Sequence, residues 1–229
     1  MPWREYARAG MARRLTELGE SWGIDWLVYN PFQMLFYHRI AVDDAPAVIA
    51  ALRSCFPEAR HYADVGSGSG AYAAEAHRRG LAVQSCEHDR FGRFLARLQG
   101  VDCRAFDLNM TPPATMDGLF DLTYCFEVAE HLPELLGLRL VDFLCTLAPI
   151  VIFSAATPGQ GGTGHIHERE PDYWIGQFTE RGLVHCPELT KALAMQLQRC
   201  DLRSRWLISN IRAFVTTLTV VTSEVDPIV

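Results

Sequence analysis

No C-x-x-C pair occurs among the seven cysteines, which stand at 55, 86, 103, 125, 145, 186 and 200. Their odd number excludes a complete disulfide framework, and their spacing excludes a zinc knuckle. They read as reduced thiols of a cytoplasmic protein. No apolar run reaches membrane-spanning length, since the best candidate, Phe143 to Ala156, is broken by Thr146 and Pro149. The opening stretch MPWREYARAGMARRLTELGE mixes acids with bases and has no apolar core, which speaks against a signal peptide. Repeats, low-complexity tracts and long Ser/Gly linkers are missing as well. Positive charge is scarce: 21 Lys and Arg face 27 Asp and Glu, a formal net charge of −6. Nucleic acid attracts proteins chiefly through Lys and Arg at phosphates, so this balance disfavours it as a partner. What is present is a chain of 229 residues, 49% hydrophobic and 21% charged, enough to bury a core and to form one domain of ordinary size or one domain with a short appendage.

Residues 2–22 suggest a helix, with Trp3, Tyr6, Leu15, Leu18 and Trp22 loosely on one side. Residues 23–42 are aromatic-rich and poorly periodic, and Asp43 or Asp44 is a candidate cap for a helix through Ala51, Leu52 and Phe56. From residue 61 the pattern alternates. The strand candidates are HYADV, LAVQSC, VDCRAF, FDLTYCF and PIVIFSAA. Between them lie helix candidates AYAAEAHRR, RFGRFLARLQ and about 130–146, the first two stopped at Gly80 and Gly100. A Gly-rich loop (PGQGGTG), a helix near 171–181 and two further strands around 183–186 and 211–221 complete the chain. Such alternation predicts an α/β protein with a mostly parallel sheet covered by helices on both faces.

Asp64-Val65-Gly66-Ser67-Gly68-Ser69-Gly70 joins the first strand to its helix. Glycines there permit positive φ and let the main chain approach a ligand that a Cβ would block. The spacing G-x-G-x-G differs from the dinucleotide fingerprint, and no Gly-Lys-Ser/Thr follows to make a Walker loop. Three glycines also suit a plain tight turn. Three strand ends, however, carry acids: Asp64, Glu87 and Asp107. In open α/β sheets ligands bind beyond the carboxyl ends of the strands. A carboxylate can accept both hydroxyls of a ribose, which suits Glu87, and an adenine amino group, which suits Asp107.

With DVGSGSG, Glu87, AFDL (105–108) and FDLTYCFEVAEHLP (120–133), the sequence resembles the class I S-adenosylmethionine-dependent methyltransferases over roughly residues 60–155. The resemblance implies a Rossmann-like sheet of seven strands, the last one antiparallel, with an N-terminal helical cap over 1–45 and the methyltransferase domain over 46–229. It implies S-adenosylmethionine as cofactor, contacted by Asp64, Gly66, Ser67, Gly68, Gly70, Glu87, His88, Asp107, Leu108, Phe126 and Glu127. Because strand two ends in Glu-His-Asp, Asp89 competes with Glu87 for the ribose. The segment FSAATPGQGGTGHIHEREPDYW (153–174) is similar to a narrower subgroup with E-V-A-E-H after strand four and a G-H-x-N-E-like loop after strand five. Here His167 takes the place of the Asn.

Glu127, Glu130 and His131 stand at i, i+3 and i+4, which on a helix would share one face. Two carboxylates and an imidazole call for positive charge, and His165 or His167 could complete a metal set of Glu127, Glu130, His131 and His165. Such mixed ligands suit Mn²⁺, Fe²⁺ or Zn²⁺ better than Mg²⁺. The same E-x-x-E-H pattern is similar to metal-using O-methyltransferases of ubiquinone biosynthesis and of small-RNA 3′ ends. Glutamates near a helix start are also favoured by the helix dipole without any metal. His131, His165 and His167 are the candidate catalytic bases. The first 45 residues, with Tyr29, Phe32, Phe36, Tyr37 and His38, read as a lid, an acceptor-pocket wall, a packed cap or a homodimer surface. The function expected is methyl transfer to a small-molecule acceptor at a hydroxyl oxygen, metal-assisted, in specialised metabolism. The alternatives are an RNA-end 2′-O-methyltransferase and a non-catalytic S-adenosylmethionine-binding partner protein.

Overall fold

A computed structural model describes residues 14–19, 21–22, 28, 30–116 and 118–216. The expected aromatics Trp3, Tyr6 and Tyr29 and the last residues of the final strand candidate, 217–221, lie outside them. Residues 14–19 and 21–22 are helical. Helix α1 (Pro31–Cys55) follows, then β1 (His61–Val65), α2 (Ala71–Arg78), β2 (Ala82–Glu87), α3 (Arg90–Leu98), β3 (Cys103–Ala105) and β4 (Leu122–Phe126). A 3₁₀ turn (Ala129–His131) leads to α4 (Glu134–Leu147), β5 (Ile150–Ser154), α5 (Pro171–Thr179), β6 (Leu183–His185), α6 (Pro187–Gln198), α7 (Trp206–Asn210) and β7 (Arg212–Thr216).

The seven strands form one sheet in the order β3-β2-β1-β4-β5-β7-β6. Strands β1 to β5 pair in parallel, and β7 runs antiparallel between β5 and β6. The expected α/β architecture and its antiparallel last strand are both present. Strands buried on both faces read as nearly continuous apolar runs, and β5 (IVIFS) is apolar up to its last residue, Ser154. One face packs Ile49, Leu52, Leu193 and Leu197 over Tyr62, Tyr124 and Ile152. The other packs Leu140, Leu144, Trp174 and Phe178 over Val65, Cys125, Phe153 and Phe214. Among the described residues no helix is long and apolar enough to cross a membrane.

Helix α1 differs from expectation in length and cap. It begins at Pro31, with the Asn30 side chain accepting from the Phe32 and Gln33 N–H groups, each at 3.2 Å. It then runs unbroken through Pro46, across the expected boundary between 45 and 46. Asp43 and Asp44 are therefore mid-helix residues, not caps. Asp44 is buried and accepts from the Arg203 and Ser204 N–H groups, each at 2.8 Å, and from the Ser204 hydroxyl. Asp43 pairs with Arg203 at 2.8 Å. These bonds moor α1 to the segment before α7. Helix α6 has no counterpart in the expected elements. Pro187 opens it, and Leu193 and Leu197, one turn apart, bury its inner face.

Candidate active site

The carboxyl ends of β1, β2, β4 and β5 form one edge of the sheet, and the loops leaving them build the site. After β1, Gly66, Gly68 and Gly70 have φ values of +72°, +54° and +73°. Two of these glycines are also required by packing: a Cβ on Gly66 would stand 2.5 Å from Val128 Cγ2, and one on Gly70 2.7 Å from Ala96 Cβ. A Cβ on Gly68 would meet nothing within 4 Å, so Gly68 faces open space. Beneath it, Gly92 of α3 lets the helix press against the loop, because a Cβ there would come 2.7 Å from the Gly68 carbonyl oxygen. Ser67 is buried, with its hydroxyl 3.4 Å from Cys103 Sγ. From α1, His38 Nδ1 reaches the Ser69 hydroxyl at 2.9 Å, and Gln33 Nε2 donates to Thr163 Oγ1 at 3.2 Å. The first turns of α1 thus touch both the glycine loop and the loop after β5.

The three strand-end acids differ in state. Asp64 is 3% exposed, and burial pushes its pKa up to about 8, with the charge of Glu87 adding to the rise. The Tyr124 hydroxyl and the Ala73 N–H pull it back in part, yet Oδ2 has no partner in hydrogen-bond geometry. Glu87 accepts from the Gly68 N–H through Oε2 and from the Asp89 N–H through Oε1, both at 2.7 Å. Burial raises its pKa, and those two bonds oppose the rise. Asp89 is the N-cap of α3 and accepts from the Gly92 N–H at 2.7 Å. Its carboxylate thus serves the helix, whereas that of Glu87 lies against the glycine loop. Asp107 accepts twice from Asn109, both bonds falling on Oδ1, and they hold its carboxyl below the usual range. His88 is exposed, with Nδ1 2.9 Å from the Phe106 carbonyl oxygen. Leu108 is buried, and Phe126 stacks on Tyr124 and meets Tyr72 edge-on.

After β4 the chain does not enter a helix directly. Glu127 has φ +53°, and Glu130 and His131 belong to the 3₁₀ turn, so the three do not share a helical face. Pro133 explains this. It disfavours helical geometry at Leu132 and itself becomes the N-cap of α4. Positive φ costs a non-glycine residue about 1 kcal/mol or more, and here the surroundings enforce it. The Glu127 N–H donates to the Ser154 carbonyl and lies 3.1 Å from the Ser154 hydroxyl. Its carboxylate accepts from Asn210 Nδ2 at 3.1 and 3.3 Å and from Gln160 Nε2 at 3.2 Å.

Glu130 is fully buried, and neither carboxylate oxygen has a partner in hydrogen-bond geometry. The backbone N–H groups of Glu130 and Ala156 lie near enough to offset burial only in part. Burial and the charge of Glu127 hold its carboxyl well above the usual range. His131 is driven the other way, down to about 4, by burial and by His165, with the Gly164 carbonyl opposing. Its Nδ1 lies 3.2 Å from that carbonyl oxygen, and its ring meets the His165 ring edge-on at 4.9 Å. One ligand atom each from Glu130, His131 and His165 falls within 4.8 Å of the others. Of the four expected metal ligands the fold gathers these three, while Glu127 is engaged by amides.

His167 lies elsewhere. It is 7% exposed, takes Arg169 Nε at 2.9 Å on Nε2, and packs edge-on against Tyr173 and Trp174. Glu168 accepts from His165 Nδ1 and from the N–H groups of Gly159 and Gly161, and these bonds, that of His165 foremost, hold its carboxyl below the usual range.

No protein-family model and no curated protein sequence matches the chain. Solved structures do. Magnesium protoporphyrin IX methyltransferase from Synechocystis PCC 6803, with bound SAH, superposes with a TM-score of 0.61 at 15% identity, covering 86% of this chain and all of that one (100%). This is the class I methyltransferase fold. An amino pentose methyltransferase from Micromonospora echinaspora, with SAM bound, gives a TM-score of 0.56 at 16% identity over 77% of this chain and 92% of that one. The mitomycin 7-O-methyltransferase gives 0.56 at 16% over 81% and 63%. Within this methyltransferase fold, Gly92, Asn210 and Gln160 join the site without a signature of their own in the sequence motifs, whereas Glu168 is the acid that ends the G-H-x-N-E-like loop. Of the first three only Gly92 carries a local signal, being a glycine inside an amphipathic helix where none is needed for a cap.

Proposed function

We propose that this protein is an S-adenosylmethionine-dependent methyltransferase acting on a hydroxyl oxygen of a small molecule, with a divalent ion held by Glu130, His131 and His165. The observation that carries the reading is the open space over Gly68, at the strand edge where Asp64, Glu87 and Asp107 stand. Residues there fit the donor. Bare main chain at Gly68 admits close approach. Each oxygen of Glu87 accepts one backbone bond and keeps lone-pair capacity for the ribose hydroxyls, and Asp107 Oδ2 is left for an adenine amino group. Asp64 Oδ2 offers a buried acceptor below the loop. In open α/β sheets ligands bind beyond the carboxyl ends of the strands, which supports this position for the donor.

When bound, the donor supplies a methyl group on a sulfonium, and the ion supplies positive charge that lowers the pKa of an acceptor hydroxyl. The chain's part is alignment, charge and exclusion of water. His131 is kept neutral by burial, so its ring has a lone pair either to hold an ion or to take a proton. The buried, unpartnered Glu130 favours the ion, because positive charge beside it would offset the burial that disfavours its ionised form. A net charge of −6 favours a small acceptor over an RNA end.

Calorimetric titration with SAH, then with Mn²⁺ or Zn²⁺ into the SAH-loaded protein, tests the site. Transfer of a labelled methyl to a panel of hydroxylated acceptors tests the activity. The expected result is SAH binding and one ion per chain, with ion binding lost and SAH binding kept in Glu130→Gln. No SAH binding refutes the reading. SAH binding without an ion removes the metal, and binding without transfer favours a donor-binding protein that does not methylate.

A further inference from the structure

Glu168 lies three residues after His165 in the loop between β5 and α5, and one carboxylate does two tasks there. Its Oε1 accepts from His165 Nδ1 at 2.9 Å and from the Gly161 N–H at 2.9 Å, and its Oε2 accepts from the Gly159 N–H at 2.8 Å. A carboxylate only accepts, so the imidazole nitrogen that meets it carries the proton. A neutral ring then bears its lone pair on Nε2. The ring is confined as well. A Cβ on Gly162 would collide with it at Nε2, and the His131 ring closes the adjoining side at 4.9 Å. His131 obeys the same rule, since its Nδ1 faces the Gly164 carbonyl, another pure acceptor. Two imidazoles of one tautomer thus stand beside the buried carboxyl group of Glu130, one nitrogen of each ring lying within 4.8 Å of the other and of a Glu130 oxygen. The Gly159 and Gly161 bonds fold the loop around the same carboxylate.

We propose that Glu168 is the positioning residue of this site, locking His165 as the Nδ1–H tautomer with its lone pair on Nε2 while it shapes the loop that carries the ring. Its purpose rests on the methyl-transfer reading above; the tautomer does not. Outer partners of this kind fix ring orientation and raise the basicity of an imidazole toward a ligand.

Two-bond ¹⁵N–¹H correlation spectra of the ¹⁵N-histidine-labelled protein report the tautomer directly, with His165 assigned by its loss in His165→Phe. The expected wild-type signal is a proton on Nδ1. In Glu168→Ala that pattern gives way to Nε2–H or a mixture, and methyl transfer falls about tenfold or more with SAH affinity unchanged. Glu168→Gln keeps an acceptor oxygen and restores the Nδ1–H pattern and most of the turnover. A role limited to loop structure would lower hydrogen-exchange protection at Gly159 and Gly161 and leave the tautomer alone. A pure Nδ1–H signal in Glu168→Ala therefore overturns the proposal. So does a proton on Nε2 in the wild type, which needs no variant to fold. Failure of the wild type to bind SAH would sink the methyl-transfer reading, while the spectra still decide the tautomer.

Discussion

Two helix glycines of opposite surroundings make a matched experiment. Gly92 in α3 and Gly176 in α5 both lie inside helices, where alanine is favoured by about 0.5–1 kcal/mol. A Cβ on Gly176 meets nothing within 4 Å, so Gly176→Ala should stabilise by that amount, about 0.5–1 kcal/mol. On Gly92 the same atom would stand 2.7 Å from the Gly68 carbonyl oxygen and 3.1 Å from Glu87 Cγ. Main chain cannot swing aside as a side-chain tip can, and overpacking of this kind costs about 1–3 kcal/mol. Gly92→Ala should therefore end about 1 kcal/mol less stable than wild type. The push falls on the bond from the Gly68 N–H to Glu87 Oε2, so SAH affinity should drop about tenfold, near 1.4 kcal/mol. Urea unfolding and calorimetric SAH titration measure the two effects. If Gly92→Ala gains stability as Gly176→Ala does and binds SAH like the wild type, the glycine loop is not packed on α3 as described.

Other outcomes follow from single groups. Asp64 holds its proton up to about pH 8 in the folded protein, against about 4 for an ordinary carboxyl. Its contribution to stability is complete at low pH and is lost as pH rises through that window. Asp64→Asn should flatten the decline, so that its unfolding free energy overtakes that of the wild type by about 1–3 kcal/mol at pH 8. Parallel pH profiles would show that Asp64 does not titrate so. Asp44→Ala strands three donors of the 203–204 segment and should cost about 2–4 kcal/mol in urea unfolding, and a loss below 1 kcal/mol would deny it the mooring role.

Much of the fold is written in punctuation. Gly80 and Gly100 close α2 and α3, and alternation of β-rich runs with helical runs leaves little but a parallel sheet. The acids at 64, 87 and 107 are legible because each sits where its strand stops. Helix α1 is less so. Its aromatic first half has no clean period, and Asp43 and Asp44 look like a cap that starts the helix late, although Asn30-Pro31 is a sound start signal. The E-x-x-E-H spacing suggests a helical face, yet Pro133 displaces the helix start and leaves those residues in a turn. Distance in sequence hides the remainder. Asn210 reaches Glu127 across 83 positions, and Gln160 across 33. No local pattern encodes which carboxylate those amides will hold.

One consequence concerns the motion available to the part of α1 that touches the two loops. A rod without a joint cannot swing like a door. Proline has no N–H to give, so the rung that would tie residue 46 back to Val42 is missing from the ladder. The stretch beyond it is packed into the core through Val48, Ile49 and Leu52, Asp44 ties the gap itself to Ser204, and the stretch before it leans on Ser69 and Thr163. Any flexing that admits a molecule beneath the helix will therefore gather at that missing rung, and the earlier turns will lift as one stiff lever.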